Sequence, residues 1–232
     1  MKKLFLSLMQ SVGVELEEVV NKLKEKLSPI ANPLLEVLQE DELLIPPGLV
    51  LLSASVFNNR KKGILPALFT LLVNIGSYLH SATHSKKGRE KQLIVLAGDY
   101  VCAHLFQLLC ETGCFFLLER FARLISVMNE GSAVLETLKR DVLPQQNDVC
   151  PALMDGIRRR YGVFFGECCS LGCLFAGGTE EEQQKLYSFG VKLGVSYGAQ
   201  KHKIASADVE NQIRMESSDV LGIFAKELLS LV

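Results

Sequence analysis

The stretch LEEVVNKLKEKL, Leu16 to Leu27, is the clearest guide to the fold of this chain. Its apolar residues Leu16, Val19, Val20, Leu23 and Leu27 recur at helical spacing and form one stripe, with charged residues on the opposite side. The same spacing returns in segments 117–128, 186–197 and 220–231, whereas no comparable run alternates with a period of two. The sequence therefore predicts an all-α protein.

Breaks between the helical stripes are marked by proline, glycine and asparagine, in SPIANP (28–33), IPPG (45–48), NNRKKG (58–63) and LPQQNDVCP (143–151). In GGTEEEQ (177–183), a helix is predicted to end at the two glycines, and the next to begin at Thr179 with a capping box to Glu182. This punctuation predicts roughly eight helices in one bundle domain spanning residues 1–232.

Composition restricts the class of partner. The 25 basic and 26 acidic side chains give a net charge of -1, which favours neither nucleic acid nor an anionic membrane surface. The seven cysteines are odd in number and mostly lie inside apolar helical patterns, which favours a cytoplasmic protein over a disulfide framework. The most apolar window, ILPALFTLLVNIGSYLH, contains Pro66, Asn74 and His80 and is too short to span a bilayer, so we expect no transmembrane segment.

Spaced cysteines and histidines raise the question of a metal site. Cys110 and Cys114, like Cys169 and Cys173, lie four residues apart and would share a helix face, as would His80 and His84. A zinc site needs four converging ligands, which these pairs do not supply. We therefore interpret the cysteines as small buried apolar residues and expect no metal or other cofactor in this chain.

Several segments, in order, resemble the trans-isoprenyl diphosphate synthases. LAGDYVCAHLFQLLCETG (96–113) is similar to the GDY-containing helix of that family, and FARLISVMNEGSAVLETL (121–138) to the helix that follows it. PPGLVLLSAS, RRRYGVFFGECCSLGCLFAGGTEEE and LYSFGVKLGVSYGAQKH resemble further family segments. The resemblance implies an isoprenoid-synthase-type helical bundle. It also implies truncation at the C-terminus, because the chain ends soon after the last of these segments.

The resemblance also implies lost chemistry. Members of the family hold Mg²⁺ between two aspartate-rich motifs, because a hard cation prefers carboxylate oxygens and the leaving diphosphate needs its charge neutralised. Serine, alanine, lysine and histidine occupy the matching positions here, and the Gly-Lys-x-Arg element that grips isopentenyl diphosphate is replaced by Leu43, Leu44 and Ile45 before Pro46. The degenerate metal positions are Ser81, Ala82, Lys201, His202 and Ala205, and the basic residues kept at diphosphate-contact positions are Lys86, Lys87 and Arg160.

These departures predict a non-catalytic, regulatory or chain-length-influencing subunit of a heteromeric polyprenyl diphosphate synthase in isoprenoid quinone side-chain biosynthesis. Mg²⁺ is then expected only in the catalytic partner. The resemblance implies pairing with that partner, or with a second copy, through helices 99–112 and 121–138, with Tyr100, Leu105, Leu108, Leu124 and Met128 as candidate interface residues. Two alternatives stay open: a stand-alone prenyl- or lipid-binding bundle with Phe69, Leu72 and Leu105 along its tunnel, and an active transferase with a rearranged metal site built from Glu111, Glu119 or Glu167.

Overall fold

A computed structural model of the chain describes residues 2–28, 30, 40–83, 86–141 and 151–202. Within these ranges it contains eight α-helices and no strand. They are α1 (Lys2–Leu27), α2 (Glu40–Ser55), α3 (Ile64–Ala82), α4 (Gly88–Glu111), α5 (Leu118–Asp141), α6 (Pro151–Ile157), α7 (Val163–Ala176) and α8 (Glu180–Lys201). The predicted all-α fold class is confirmed.

One large apolar core is built around α2, α3 and α7. Helix α2 packs against α1, α3 and α7, while α8 covers α7 and α4 packs chiefly against α3. The predicted stripe of α1 is buried in this core through Leu16, Val19, Leu23 and Leu27, with Val20 at its edge. Burial of whole helical stripes, rather than helix propensity alone, holds the elements in place.

The signals at helix ends were predicted with mixed success. At α8, the Thr179 hydroxyl accepts from the backbone N–H of Glu182, whose carboxylate accepts from the backbone N–H of Thr179, so the capping box is confirmed. The break predicted at IPPG is wrong, because Pro46 and Pro47 lie inside α2. Proline removes helical hydrogen bonds. Here, however, the neighbouring residues are buried on every side of the helix, and this packing keeps the segment helical.

Some predictions fall outside the described residues. They are the break at 28–33 except residues 28 and 30, the break at 143–151 for all but its last residue, the helical stripe at 220–231, the truncated C-terminus, and the positions His84 and Ala205. Two helical segments are long and apolar enough to cross a membrane by length and composition alone. The apolar window of Arg60–Ala82 is 78% buried, as in a core helix, and that of Gly88–Glu111 is 28% buried. The absence of a membrane span stays a prediction.

Candidate functional site

A small cavity lies where α2, α3, α7 and α8 meet near the residues matched to the two metal motifs. A π-helical turn, Arg158–Gly162, joins α6 to α7 and supplies two of its lining residues. The lining residues are Leu43, Ile45 and Pro46 of α2, Asn74 and Tyr78 of α3, Arg160 and Tyr161 of the π-turn, Phe164 and Phe165 of α7, and Tyr197 and Lys201 of α8.

Close helix packing brings α8 against the π-turn. A Cβ atom placed on Gly194 would lie 2.3 Å from the carbonyl oxygen of Tyr161, and one on Gly190 would lie 2.4 Å from that of Phe165. Only glycine therefore permits this approach. Because of these glycines, Tyr197 and Lys201, further along α8, lie beside Arg160 and Tyr161. Single π-turns within helices are frequently found at functional sites.

Aromatic side chains fill most of the space between these helices. The ring of Tyr197 lies 5.6 Å from that of Tyr161 and 5.2 Å from that of Phe165, and Phe164 and Phe165 are 6.3 Å apart between centroids. The cavity left between them has a volume of about 40 Å³. A water molecule needs roughly 10–15 Å³ of such space, so the cavity has room for about three waters.

Two cations lie beside this cavity. The guanidinium carbon of Arg160 is 5.4 Å from the ring centroid of Tyr161, and the Nζ atom of Lys201 is 5.9 Å from the same centroid. The Tyr161 hydroxyl is 3.4 Å from Nε2 of His202. Aromatic faces attract cations at these distances, so the Tyr161 ring stabilises each of the two positive charges.

The residues that the resemblance matches to the family's metal positions do not fit Mg²⁺. The hydroxyl of Ser81 donates to the carbonyl of Ser77 at 2.9 Å, Ala82 has no side-chain ligand, and Lys201 carries a positive charge that repels a divalent cation. Among the described residues, no three side chains of histidine, cysteine, aspartate or glutamate are grouped so that they could hold a metal ion.

The three basic residues predicted to contact diphosphate are not brought together. Lys86 forms an ion pair with Glu90, and Lys87 is the exposed residue before α4. Neither lines the cavity that Arg160 lines. The lysine that lines the cavity with Arg160 is Lys201, which was predicted only as a lost metal ligand. Its change of charge was the available signal.

The structure corrects the predicted interface role of four of the five candidate residues. Leu105, Leu108, Leu124 and Met128 are buried in the chain's own core, and only Tyr100 is exposed. A helical stripe looks the same whether it is covered by the same chain or by a partner, so the sequence could not separate the two. On α4, the exposed apolar residues are Leu93 (57%), Leu96 (63%) and Tyr100 (37%), which we call the α4 outer face.

The glutamates of the alternative metal site are each held by a basic side chain. Glu111 binds Lys26, Glu119 binds Arg123, and Glu167 binds Arg120. Arg120 also donates to the hydroxyl of Ser170 at 2.8 Å. Burial raises the pKa of the Glu167 carboxyl, although the charge of Arg120 opposes that shift. Each of the three glutamates is therefore part of a separate ion pair, and they do not form a metal cluster.

Known proteins resemble this chain in part of its sequence and in its fold. No family model matches the chain. The geranylgeranyl diphosphate synthase of Sulfolobus acidocaldarius is 29% identical over 113 residues, which is 45% of this chain and 33% of the relative. A decaprenyl diphosphate synthase from Rhodobacter capsulatus superposes with a TM-score of 0.73 at 20% identity, covering 85% of this chain and 65% of the other. The chain therefore spans about a third of its curated relative and less than two thirds of this structure.

A deletion mutant of a heterotetrameric geranyl pyrophosphate synthase from mint, solved with ligands, matches along nearly its whole length. Its TM-score is 0.71 at 19% identity, with 94% of this chain and 97% of the other covered. The protein thus has the all-α isoprenoid synthase fold. The predicted resemblance to the trans-isoprenyl diphosphate synthase family is confirmed by this fold and by the local sequence match.

Proposed function

We propose that this chain is a non-catalytic subunit of a heteromeric prenyl diphosphate synthase, with a regulatory or chain-length-influencing role in isoprenoid biosynthesis. Its partner would be a second, catalytic chain that holds Mg²⁺ and works with it in the cytoplasm. The observation that carries the proposal is that the positions matched by resemblance to the metal motifs hold no carboxylate. They are Ser81, Ala82, Lys201 and His202. These side chains cannot neutralise a leaving diphosphate through a metal.

The likeness to a chain of a heterotetrameric synthase supports a role in an assembly. A chain that keeps the fold while its metal ligands are replaced can still be useful to a synthase by binding to it. The polyprenyl diphosphates and quinone side chains that such an assembly would serve are part of the proposal.

The α4 outer face supplies a surface for the partner. Leu93, Leu96 and Tyr100 are spaced three and four residues apart, so they lie along one side of the helix. Helix α4 packs chiefly on α3, and within the described part of the chain Leu93, Leu96 and Tyr100 remain exposed. Aromatic and apolar side chains of this kind commonly form the centre of a stable protein interface. We propose that this face, rather than the buried residues of α4 and α5, contacts the catalytic chain.

The prenyl-binding alternative finds less support. Phe69 is fully buried and packs edge-on against Phe121 and Phe175, at 5.8 and 6.5 Å between ring centroids. Leu72 and Leu105 are buried in the same core. The cavity of about 40 Å³ beside Arg160 is also too small for a prenyl chain. In the described part of the chain these three positions therefore contribute core packing rather than the wall of a tunnel.

Co-expression with a full-length polyprenyl diphosphate synthase from the same genome tests the proposal. We expect the two chains to co-elute in size-exclusion chromatography. Leu96→Asp should abolish co-elution, because a carboxylate would be buried without a partner at the interface. The matched control is Val14→Asp, since Val14 is 81% exposed on α1 and far along the chain from α4.

Circular dichroism of both variants provides the check on folding. A chain that is folded but elutes separately from each such synthase contradicts the proposed partnership. Equal co-elution of Leu96→Asp and Val14→Asp contradicts the choice of the α4 outer face.

A further inference from the structure

An open groove with a volume of about 420 Å³ lies between α5 and α7, and we call it the α5–α7 groove. Four of its lining residues are charged and form two ion pairs, Arg120 with Glu167 and Arg123 with Glu119. The other four are apolar, namely Phe116, Leu124, Val127 and Val163. A groove that combines apolar and charged groups in this way is the kind of surface that binds the apolar side of an amphipathic helix.

The described part of the chain leaves apolar side chains at this groove uncovered. Phe116 is 65% exposed, and its neighbours Phe115 and Leu118 are 65% and 39% exposed. Val127 and Val163 are half-buried. Exposed apolar side chains that lie together commonly mark a place where another element packs.

An apolar stripe of suitable length lies in the sequence beyond the described residues. Val220, Ile223, Phe224, Leu228 and Leu231 recur at helical spacing, which predicts one apolar side. Most of the stability of an amphipathic helix in a protein comes from packing that side against an apolar surface. The segment 217–232, which carries the stripe, therefore needs a surface such as the α5–α7 groove.

The last described residue, His202, lies close to one end of the groove. Its Nε2 atom is 3.4 Å from the hydroxyl of Tyr161, and Tyr161 is two residues before Val163, which lines the groove. The 17 residues 203–219 separate His202 from the first residue of the stripe. Fully extended, they could span about 55 Å, so the length of the chain allows the stripe to reach the groove.

The charges of the groove favour this segment over a lipid surface. Its two arginines and two glutamates give a net charge of zero, and the segment 217–232 carries Asp219, Lys226 and Glu227. Charged side chains of both signs on each partner permit pairing at the edges of the contact. Glu119 and Glu167 would instead repel the anionic headgroups of a membrane.

We propose that residues 217–232 bind the α5–α7 groove of the same chain and place their apolar stripe against Phe116, Val127 and Val163. The contact is separate from the α4 outer face, which is left for the catalytic partner. The inference does not depend on that partner. Failure of the partnership experiment would leave the groove contact intact, and failure of the groove contact would leave the partnership intact.

A single introduced tryptophan can report on the groove, because the chain contains no tryptophan of its own. Phe116→Trp keeps an aromatic ring at this position. In the full chain we expect its fluorescence to be blue-shifted and weakly quenched by acrylamide, as for a buried ring. Exposed, red-shifted emission from this variant overturns the proposal, whatever the later variants do.

A second substitution identifies the segment that covers the reporter. Phe224→Asp, added to Phe116→Trp, should shift the emission to the red and raise the quenching constant about twofold or more, because a carboxylate is not buried against apolar side chains without a partner. The matched control is Ala225→Asp, which adds the same charge one residue away and outside the stripe. Equal quenching in these two variants shows that the stripe does not bind the groove.

Two further measurements complete the test. Val14→Trp, at a position on α1 that is 81% exposed, should be quenched equally with and without Phe224→Asp. Circular dichroism compares the helix content of all variants, and Phe224→Ser replaces Phe224→Asp if the latter loses helix.

Dilution and addition of a synthase distinguish the other occupants. Quenching of Phe116→Trp that is independent of protein concentration supports binding within one chain. Quenching that increases on dilution assigns the cover to a second copy and contradicts the proposal. A reporter that is exposed in the chain alone and becomes covered only when a synthase is added assigns the groove to that partner, and it contradicts the proposal as well.

Discussion

Arg120 connects two helices through a partly buried ion pair. On α5, its Nε donates to Glu167 of α7, and its guanidinium also reaches Ser170. The two charged side chains are 28% and 16% exposed. Removing charged groups from water to this extent costs free energy, so each charge is stabilised by its interaction with the other.

Arg120→Met should therefore lower the free energy of unfolding by roughly 1.5–3 kcal/mol, because Glu167 would be left buried without its charged donor. Arg123→Met, three residues further along α5, removes a pair in which both side chains are more than three quarters exposed. This control should cost at most about 1 kcal/mol. Urea denaturation of both variants measures the difference, and equal losses would show that burial of the Arg120 pair is unimportant.

The raised pKa of Glu167 predicts a specific pH dependence. Because burial raises the pKa of the folded state above the ordinary value of 4.5, folded protein holds this proton at a higher pH than unfolded protein does. The stability contributed by protonated Glu167 is fully present below the unfolded-state pKa and is lost as the pH rises through the folded-state pKa. Relative to Glu167→Gln, the parent protein should therefore become less stable as the pH increases from about 4.5 towards neutrality.

Unfolding of the parent and of Glu167→Gln at a series of pH values tests this sign. Carboxyls with a lowered pKa, such as those of Glu111 and Glu181, are common to both proteins and cancel in the difference. A difference that favours the parent increasingly at higher pH would contradict the assigned direction.

At the scale of elements, the crossing of α2 and α7 depends on one glycine. A Cβ atom at Gly172 would lie 2.1 Å from the carbonyl oxygen of Val50, a backbone atom that cannot move aside alone. Gly172→Ala should lower the free energy of unfolding by roughly 1–3 kcal/mol or more, as overpacking does. The control is Gly76→Ala on α3, where the nearest atom is the side-chain sulfur of Cys102 at 3.0 Å.

A sulfur at the end of a side chain can rotate away, and alanine favours a helix over glycine by about 1 kcal/mol. Gly76→Ala should therefore change stability little. Thermal and urea denaturation decide between the two outcomes. If both variants are equally stable, the close crossing of α2 and α7 is not what limits the residue at position 172.

Some of these elements could be predicted from sequence, and others could not. The capping box at Thr179 depends on neighbours three residues apart, and local spacing was enough to find it. The helix through Pro46 and Pro47 depends on burial against distant segments, which no local signal reports. The same limit applies to Leu124 and Met128. Their helical stripe was predicted correctly, but its partner is the chain's own core.

The candidate site shows the same division at the scale of the molecule. The missing carboxylates at 81, 82, 201 and 202 could be read from a resemblance, residue by residue. The placement of Arg160 and Lys201 beside the ring of Tyr161 depends on the π-turn and on the close approach of α8, which are properties of the packed structure. The predicted loss of the metal ligands thus rests on matched positions in the sequence, whereas the arrangement of side chains around the cavity required the fold.

The parent chain alone should not condense isopentenyl diphosphate with an allylic diphosphate. A more demanding prediction is that placing carboxylates at the four matched metal positions will not create this activity. The variant carries aspartate at Ser81, Ala82, Lys201 and His202. Two substrates need far more space than the cavity of about 40 Å³, which Phe165 and Tyr197 fill with packed rings. The apolar Leu43 and Ile45 also occupy the wall where the resemblance places a basic grip for the second diphosphate.

A radiolabelled condensation assay with excess Mg²⁺, beside an active synthase as positive control, measures product from the fourfold variant. We expect no product from it. Circular dichroism must first show that the variant is helical, since four new carboxylates repel one another where they are close. Mg²⁺-dependent product from this variant would show that the carboxylates alone separate this chain from a catalyst, and that the aromatic cluster opens to admit substrates.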